Sequence, residues 1–322
     1  MSRSISAAGL AVLVATFGGC SDKGGRTYPG PCELAVDNGE DGVIDSLEVR
    51  TYDDHDNLLT VDLDSDNDGV VDVSRGYTYT YHGNGGVAST REDANGDGVW
   101  ETEYQYNESG QMVLLGWDDD GDGVADRGYR FTYGPSDQLQ TEAFYDAWPF
   151  DSVVWDKTYQ YDSDGYLIEI ESFNHVQQQV TAIETHTWNA NHTVEDMALD
   201  RNDDGIIDAS YHSEYDLDGN QILHEPDWDG DGLADYIATT TYADGLTVES
   251  TLDEDADGVV DSRTTYTYDA HGRLIETSID SPVDGTADQS TTWSYDKSGN
   301  ALTARWHDAS DITLTTYDYA CW

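Results

Sequence analysis

Along most of the chain, polar and apolar residues alternate with a period of two, and almost no stretch repeats at helical spacing. Runs such as "SRGYTYTYH" (74–82), "DRGYRFTYG" (126–134) and "TTYTYD" (264–269) put an aromatic residue at every second position. Side chains two apart share one face of a strand, so each run predicts a short β-strand with an aromatic face and a Thr, Arg or Ser face. A Gly-bearing turn follows, as in "DAHGR", "DSDGY", "DLDGN" and "DKSGN". The second strand then carries an apolar residue soon after the turn (Met112, Leu167, Leu274). Another stands just before the next loop (Leu63, Trp117, Leu252, Ile279).

This strand–turn–strand–loop unit recurs. Loop glycines fall at Gly42, Gly69, Gly98, Gly123, Gly205, Gly232, Gly258 and Gly285, about 27 residues apart except for one gap of 82. Three periods fill that gap, so it hides two degenerate units, "DKTYQYDSDGYLIEIES" (156–172) and "IETHTWNANHTVEDMAL" (183–199). Their loops have decayed to "DAWPFDSVVW" (146–155) and "NHVQQQVTAI" (174–183). Residues 32–322 therefore read as a single domain of ten units plus a closing strand, "ITLTTYDYACW". The resulting 21 or so strands would span about 100 Å if flat, at about 4.8 Å per strand. Flat sheets of that size are unusual, and the aromatic face must be covered. The expectation is all-β: one large curled or spiralled antiparallel sheet, solenoid- or barrel-like, enclosing its aromatic face. Acidic loops should line one rim and Gly turns the other, with no significant helix beyond the N-terminal segment.

The loops carry the chemistry. Six follow Asp-x-Asp/Asn-x-Asp-Gly-x-x-Asp/Glu, and each offers four candidate side-chain ligands: Asp64, Asp66, Asp68 and Asp72; Asp93, Asn95, Asp97 and Glu101; Asp118, Asp120, Asp122 and Asp126. The other three are Asp200, Asn202, Asp204 and Asp208; Asp227, Asp229, Asp231 and Asp235; Asp253, Asp255, Asp257 and Asp261. Two weaker loops hold Asp37, Asp41 and Asp45, with Gly39 at a ligand position, and Asp280, Asp284 and Asp288, with Pro282 there. Alternate carboxylates converge on one point, Gly at position six permits a sharp turn, and position seven offers its carbonyl. Many hard oxygens on a loop suit Ca²⁺ better than Mg²⁺, and the absence of Cys and His argues against zinc. A solvated acidic turn explains one such loop but not six in register.

Composition adds a partner and excludes others. Of 322 residues, 66 are acidic and 14 basic, for a formal charge of -52. That excess strains a compact state unless cations offset it, and it disfavours nucleic acid. The ligand positions hold 22 carboxylates in the full loops and six in the weaker ones, so six to eight Ca²⁺ ions would offset 12 to 16 negative charges. The 22 Tyr and 9 Trp set the chain apart from disordered acidic sequences. The histidines are scattered, and no nucleophile elbow, phosphate loop or distinct carboxylate pair stands out. With its acids on loop rims, the chain reads as a non-enzyme, a hydrolase being the lesser alternative.

The first residues, "MSRSISAAGLAVLVATFGGC", form a short apolar core with one basic residue, a secretory signal too short to span a bilayer. "TFGGC" resembles a bacterial lipoprotein signal. This implies a signal peptide over 1–19, acylation of Cys20, a linker over 20–31 and, with Ser21 next, outer-membrane or cell-surface residence. A plain secreted protein is the alternative. Cys32 and Cys321 form a disulfide candidate. Their pairing would require the sheet to curl until its ends meet, because the bond needs Cα atoms within about 7 Å; thiols local to each terminus are the other reading.

"YTYDAHGRL" (266–274) and "YQYDSDGYL" (159–167) resemble the YD repeats of the RHS family, whose hairpins build large spiralling sheets. The loop spacing resembles the start of an EF-hand loop. Arg75, Tyr104, Tyr129 or Thr264 stands where the EF-hand Glu belongs, and β flanks look more like FG-GAP calcium loops. Together these readings lead to a calcium-binding, surface-anchored repeat lipoprotein serving as a scaffold or adhesion module, with structural Ca²⁺. Its partners would be calcium, a membrane reached only through the lipid, and a surface protein or glycan. The alternative is a carbohydrate-binding protein using exposed Tyr and Trp rows. Trp148, Phe150 and Trp155 in the degenerate region form either a binding patch or a hydrophobic plug.

Overall fold

The computed structural model describes residues 31–319 except 148, 151, 309 and 310, together with 20, 21, 27 and 28. The expected signal peptide, most of the linker, Trp148 and Cys321 lie outside the described residues. Cys20–Ser21 pairs antiparallel with Thr27–Tyr28. The rest is one antiparallel sheet of 22 strands, each paired with its chain neighbours, closed into a barrel. No helix occurs among the described residues.

The motif chemistry explains each hairpin. In the strand Ser262–Tyr268, Thr265 and Thr267 are exposed while Tyr266 and Tyr268 are shielded. One face of each strand is thus shielded by its neighbours. The other face carries hydroxyl pairs across strands, such as Thr80 with Ser89 at 2.7 Å and Thr132 with Thr141 at 2.6 Å. The Asp after the aromatic run folds the turn: Asp269 Oδ1 accepts the N–H groups of His271 and Arg273 at 2.8 and 3.1 Å, and Asp296 does the same for Ser298 and Asn300. The last Tyr of the strand ties its hairpin to the preceding one. Tyr133, Tyr161, Tyr268 and Tyr295 donate to the carbonyls of Met112, Leu139, Thr247 and Leu274 at 2.8, 3.0, 2.8 and 2.6 Å. Trp188 Nε1 substitutes for the phenol in a degenerate unit, donating to Leu167 at 2.9 Å.

Two expectations change. The sheet has one strand more than the ten units and closing strand supply: Glu33–Asn38, which pairs with Ile312–Asp318 across the seam. These two strands make an eleventh hairpin divided between the ends of the chain. The aromatic rows, in turn, are half-buried and do not form a large buried core. Among the described residues, every strand pair with extensive packing is a pair of sheet neighbours. Among the described residues the buried apolar side chains are few: Cys32, Ala125, Ala143, Phe150, Met197, Ala209, Pro226 and Ala301. Phe150 plugs the degenerate sector beside Tyr145, at 5.5 Å between ring centres, while Trp155 stacks on Phe144 at 5.9 Å.

Candidate metal loops on one rim

All loops that join one hairpin to the next lie on one rim, and the Gly turns, with the chain's entry at Cys32 and its exit after Asp318, lie on the other. The eight acidic loops share one hydrogen-bond frame. In 64–72, Asp64 accepts the N–H groups of Asp68 and Gly69 at 3.1 and 2.8 Å, Asp68 accepts Val70 at 2.8 Å, and Asp72 accepts Ser65 at 2.8 Å. Position nine closes the loop by donating its N–H to the residue before position one, as Asp72 does to Leu63 at 2.8 Å. The same bonds recur in 253–261, where Gly258 N donates to Asp253 at 2.8 Å and Glu254 N to Asp261 at 2.8 Å. They recur even in the weaker loops: Gly42 N reaches Asp37 at 2.9 Å and Gly285 N reaches Asp280 at 2.9 Å. Position six needs glycine because its φ is positive, 87° at Gly69 and 91° at Gly258.

The frame gathers the ligands. Asp64, Asp66 and Asp72 offer oxygens within 4.8 Å of one another, and so do Asp93, Asp97 and Glu101; Asp118, Asp120 and Asp122; and Asp227, Asp229 and Asp231. Loops 200–208 and 253–261 show the same frame, with Gly205 N on Asp200 at 2.7 Å and Arg201 N on Asp208 at 2.7 Å. Burial pushes the Asp200 carboxyl upward, but the N–H groups of Gly205, Asn202 and Asp204 outweigh it and hold the pKa below the usual carboxylate range. Position-one residues Asp64, Asp118, Asp200, Asp227 and Asp253 are all buried. The clustered donors are oxygens, preorganised by backbone bonds and little matched by basic residues. This set fits Ca²⁺. In the weaker loops, Asp41 accepts Val43 at 2.9 Å and Asp284 accepts Thr286 at 2.9 Å, while Asp45 and Asp288 keep the position-nine bond.

Neighbouring loops also touch. Asn67 Nδ2 donates to the carbonyl of Ile44 in the preceding loop at 2.9 Å. At the equivalent position, Gly230 comes so close that a Cβ would lie 2.8 Å from the Ile207 carbonyl.

Two clusters escaped the sequence reading. On the shielded face of the sheet, buried His186 bonds Glu195 through Nδ1 at 2.7 Å and Glu184 through Nε2 at 2.8 Å, while Tyr215 donates to Glu195 at 2.9 Å. Burial pulls His186 down, but its two carboxylate partners push its pKa up to about 9. Burial raises Glu195, yet bonds from His186 and Tyr215 keep it below the usual range. On the turn rim, Asp162, Asp164 and His192 offer ligand atoms within 4.8 Å of one another, and Tyr166 stacks on His192 at 3.7 Å. Both clusters join residues across strands, and only register reveals them.

Cys32 is buried, 3% exposed, and disulfide-bonded. Its expected partner Cys321 lies outside the described residues, but Asp318 pairs with Glu33 beside it.

No family model and no curated protein matches the chain. Among solved structures, it is similar to TcdB2-TccC3 without its hypervariable C-terminal region, at 14% identity and a TM-score of 0.41, over 84% of this chain and 15% of that one. It is similar to the Tc holotoxin pore of Photorhabdus luminescens at 15% identity and a TM-score of 0.38, covering 83% and 14% of the two chains. A porin-like protein from Bacteroides uniformis matches at 12% identity and a TM-score of 0.29, covering 90% and 97%. The chain thus spans about 15% of the toxin chains it matches. At these identities the likeness concerns the fold and carries nothing about activity.

Proposed function

We propose that the protein is a calcium-stabilised, non-enzymatic barrel displayed at a bacterial surface as a scaffold or adhesion module. One observation carries this reading: eight loops repeat one hydrogen-bond frame on a single rim. Ca²⁺ would be held by positions one, three, five and nine of the six full loops, with the weaker pair as lower-affinity sites. It would supply positive charge where carboxylates crowd, and so hold adjacent hairpins in register. A closed β-barrel is compatible with an outer-membrane or cell-surface address. The exposed face of the strands carries paired hydroxyls where a lipid-facing wall would be apolar, which favours attachment through an acylated Cys20 over spanning the bilayer.

The test is thermal unfolding of the full mature chain in millimolar Ca²⁺ and in excess chelator, together with bound calcium by mass spectrometry. The expected result is a clear rise in Tm with Ca²⁺ and six to eight ions per chain. An unchanged Tm sinks the reading. The half-buried aromatic rows support a second reading, saccharide binding by stacked Tyr and Trp. It predicts glycan-array signals that disappear when tyrosines of these rows are replaced.

A further inference from the structure

The calcium frame leaves one feature of the rim without a purpose. Position seven is Val, Ile or Leu in all six full loops, and several of these side chains stand in solvent. Ile206, Leu233 and Val259 are 65%, 71% and 64% exposed, and Trp228 beside them is 48% exposed. A metal at these loops would use only the carbonyl of position seven. Its N–H is already bonded to position five, in Ile206 to Asp204 at 2.9 Å, in Leu233 to Asp231 at 2.8 Å and in Val259 to Asp257 at 2.8 Å. A Ser or Lys would satisfy the same frame, so the aliphatic side chains answer to something outside the loop.

These three loops are consecutive on the rim, since their flanking strands follow one another around the barrel from Val194–Asp200 to Ser262–Tyr268. Two strands separate each pair of knobs, a spacing of about 10 Å. An α-helix places residues seven apart at the same spacing, about 10 Å along its axis. Each knob also stands between carboxylates of its own loop, Ile206 between Asp204 and Asp208, Leu233 between Asp231 and Asp235, and Val259 between Asp257 and Asp261. Arg201 is the only basic residue in the three loops. Charge therefore selects among occupants. With 14 basic residues against 66 acidic ones, a second copy has no basic face to offer, and an anionic lipid surface is repelled.

We infer that this arc docks a basic amphipathic helix of another protein. Heptad-spaced apolar residues of the helix would seat against Ile206, Leu233 and Val259, and its Lys and Arg would face the negative charge each loop keeps beside one Ca²⁺, with four carboxylates in 227–235 and five in 253–261. The barrel's first strand begins after Cys32 and its last ends at Asp318, both at the opposite rim from the arc. The inference rests on the calcium reading only insofar as Ca²⁺ orders the rim.

The test uses the full mature chain and two synthetic Lys/Leu peptides of identical composition, one with Leu at heptad spacing and one scrambled, titrated by calorimetry in millimolar Ca²⁺ at physiological salt. The heptad peptide should bind about tenfold more tightly than its isomer. The triple variant Ile206→Ser, Leu233→Ser, Val259→Ser should lose that advantage, whereas Val43→Ser with Val70→Ser should keep it. Exposed substitutions of this kind leave the fold intact, which an unchanged Tm verifies. Equal binding of the two peptides, or an unaffected triple variant, overturns the inference. So does self-association through the arc, or tighter binding to phosphatidylglycerol vesicles than to the heptad peptide. A repeat in chelator separates the two readings: peptide discrimination without any Ca²⁺ effect on Tm defeats the calcium reading alone. A Ca²⁺-dependent Tm with no peptide discrimination defeats the docking inference alone.

Discussion

Asp227 holds the N–H groups of Gly230 and Gly232 at 2.7 and 2.8 Å while only 7% exposed. Replacing it with Ala strands both donors beneath the loop. Bonds to a charged acceptor are worth about 1.5–3 kcal/mol each, so Asp227→Ala should destabilise by about 3–6 kcal/mol in urea unfolding and, on the calcium proposal, bind one ion fewer. His186 sets a pH dependence of its own. Its pKa is raised from 6.5 to about 9, so its contribution is complete below pH 6.5 and is lost as the pH rises through about 9. Glu195 is lowered from 4.5, so its contribution is present above that value and lost below it. Stability attributable to this network should therefore be greatest between about pH 4.5 and 6.5. His186→Gln should flatten the alkaline decline in Tm between pH 6.5 and 9. A decline of unchanged size in the variant would place its origin elsewhere.

At the scale of the elements, adjacent loops pack against one another. Gly230, at φ 72°, would press a Cβ to 2.8 Å from the Ile207 carbonyl, whereas Gly232, at φ 87°, has open space around it. Gly230→Ala should therefore cost about 1–3 kcal/mol more than Gly232→Ala, since both carry the backbone strain but only one meets its neighbour; paired chemical-denaturation curves decide it. Hairpins and loop frames were legible in the sequence because their signals are local: Tyr at alternate positions, Asp at the turn, Gly at position six. The His186 network was not. Glu184 and Glu195 meet one imidazole only because strand Gln179–Trp188 pairs His186 with Met197 and Trp188 with Glu195. A slip of one residue would send Glu195 to the exposed face. The strand Glu33–Asn38 escaped for a similar reason. "CELAVDN" has neither turn nor aromatic mate nearby, and its partner Thr313 lies at the far end of the chain.

At the scale of the molecule, curling was foreshadowed by the size of the sheet and its aromatic face, and the meeting of its ends by two distant cysteines. Cys32 is bonded at the divided hairpin, where a turn would otherwise join the strands. If Cys321 is its partner, Cys32→Ser and Cys321→Ser should lower stability equally, by about 2–5 kcal/mol, and the denatured, unreduced protein should show neither thiol in a titration; unequal losses would name another partner. The divided hairpin also dictates an order of assembly. Until Ile312–Asp318 has been made, Glu33–Asn38 keeps an unpaired edge, and so does the growing end of the sheet. Ten hairpins must wait for the last strand to arrive, and a nascent chain held at that stage offers two edges on which another unfinished copy could zip.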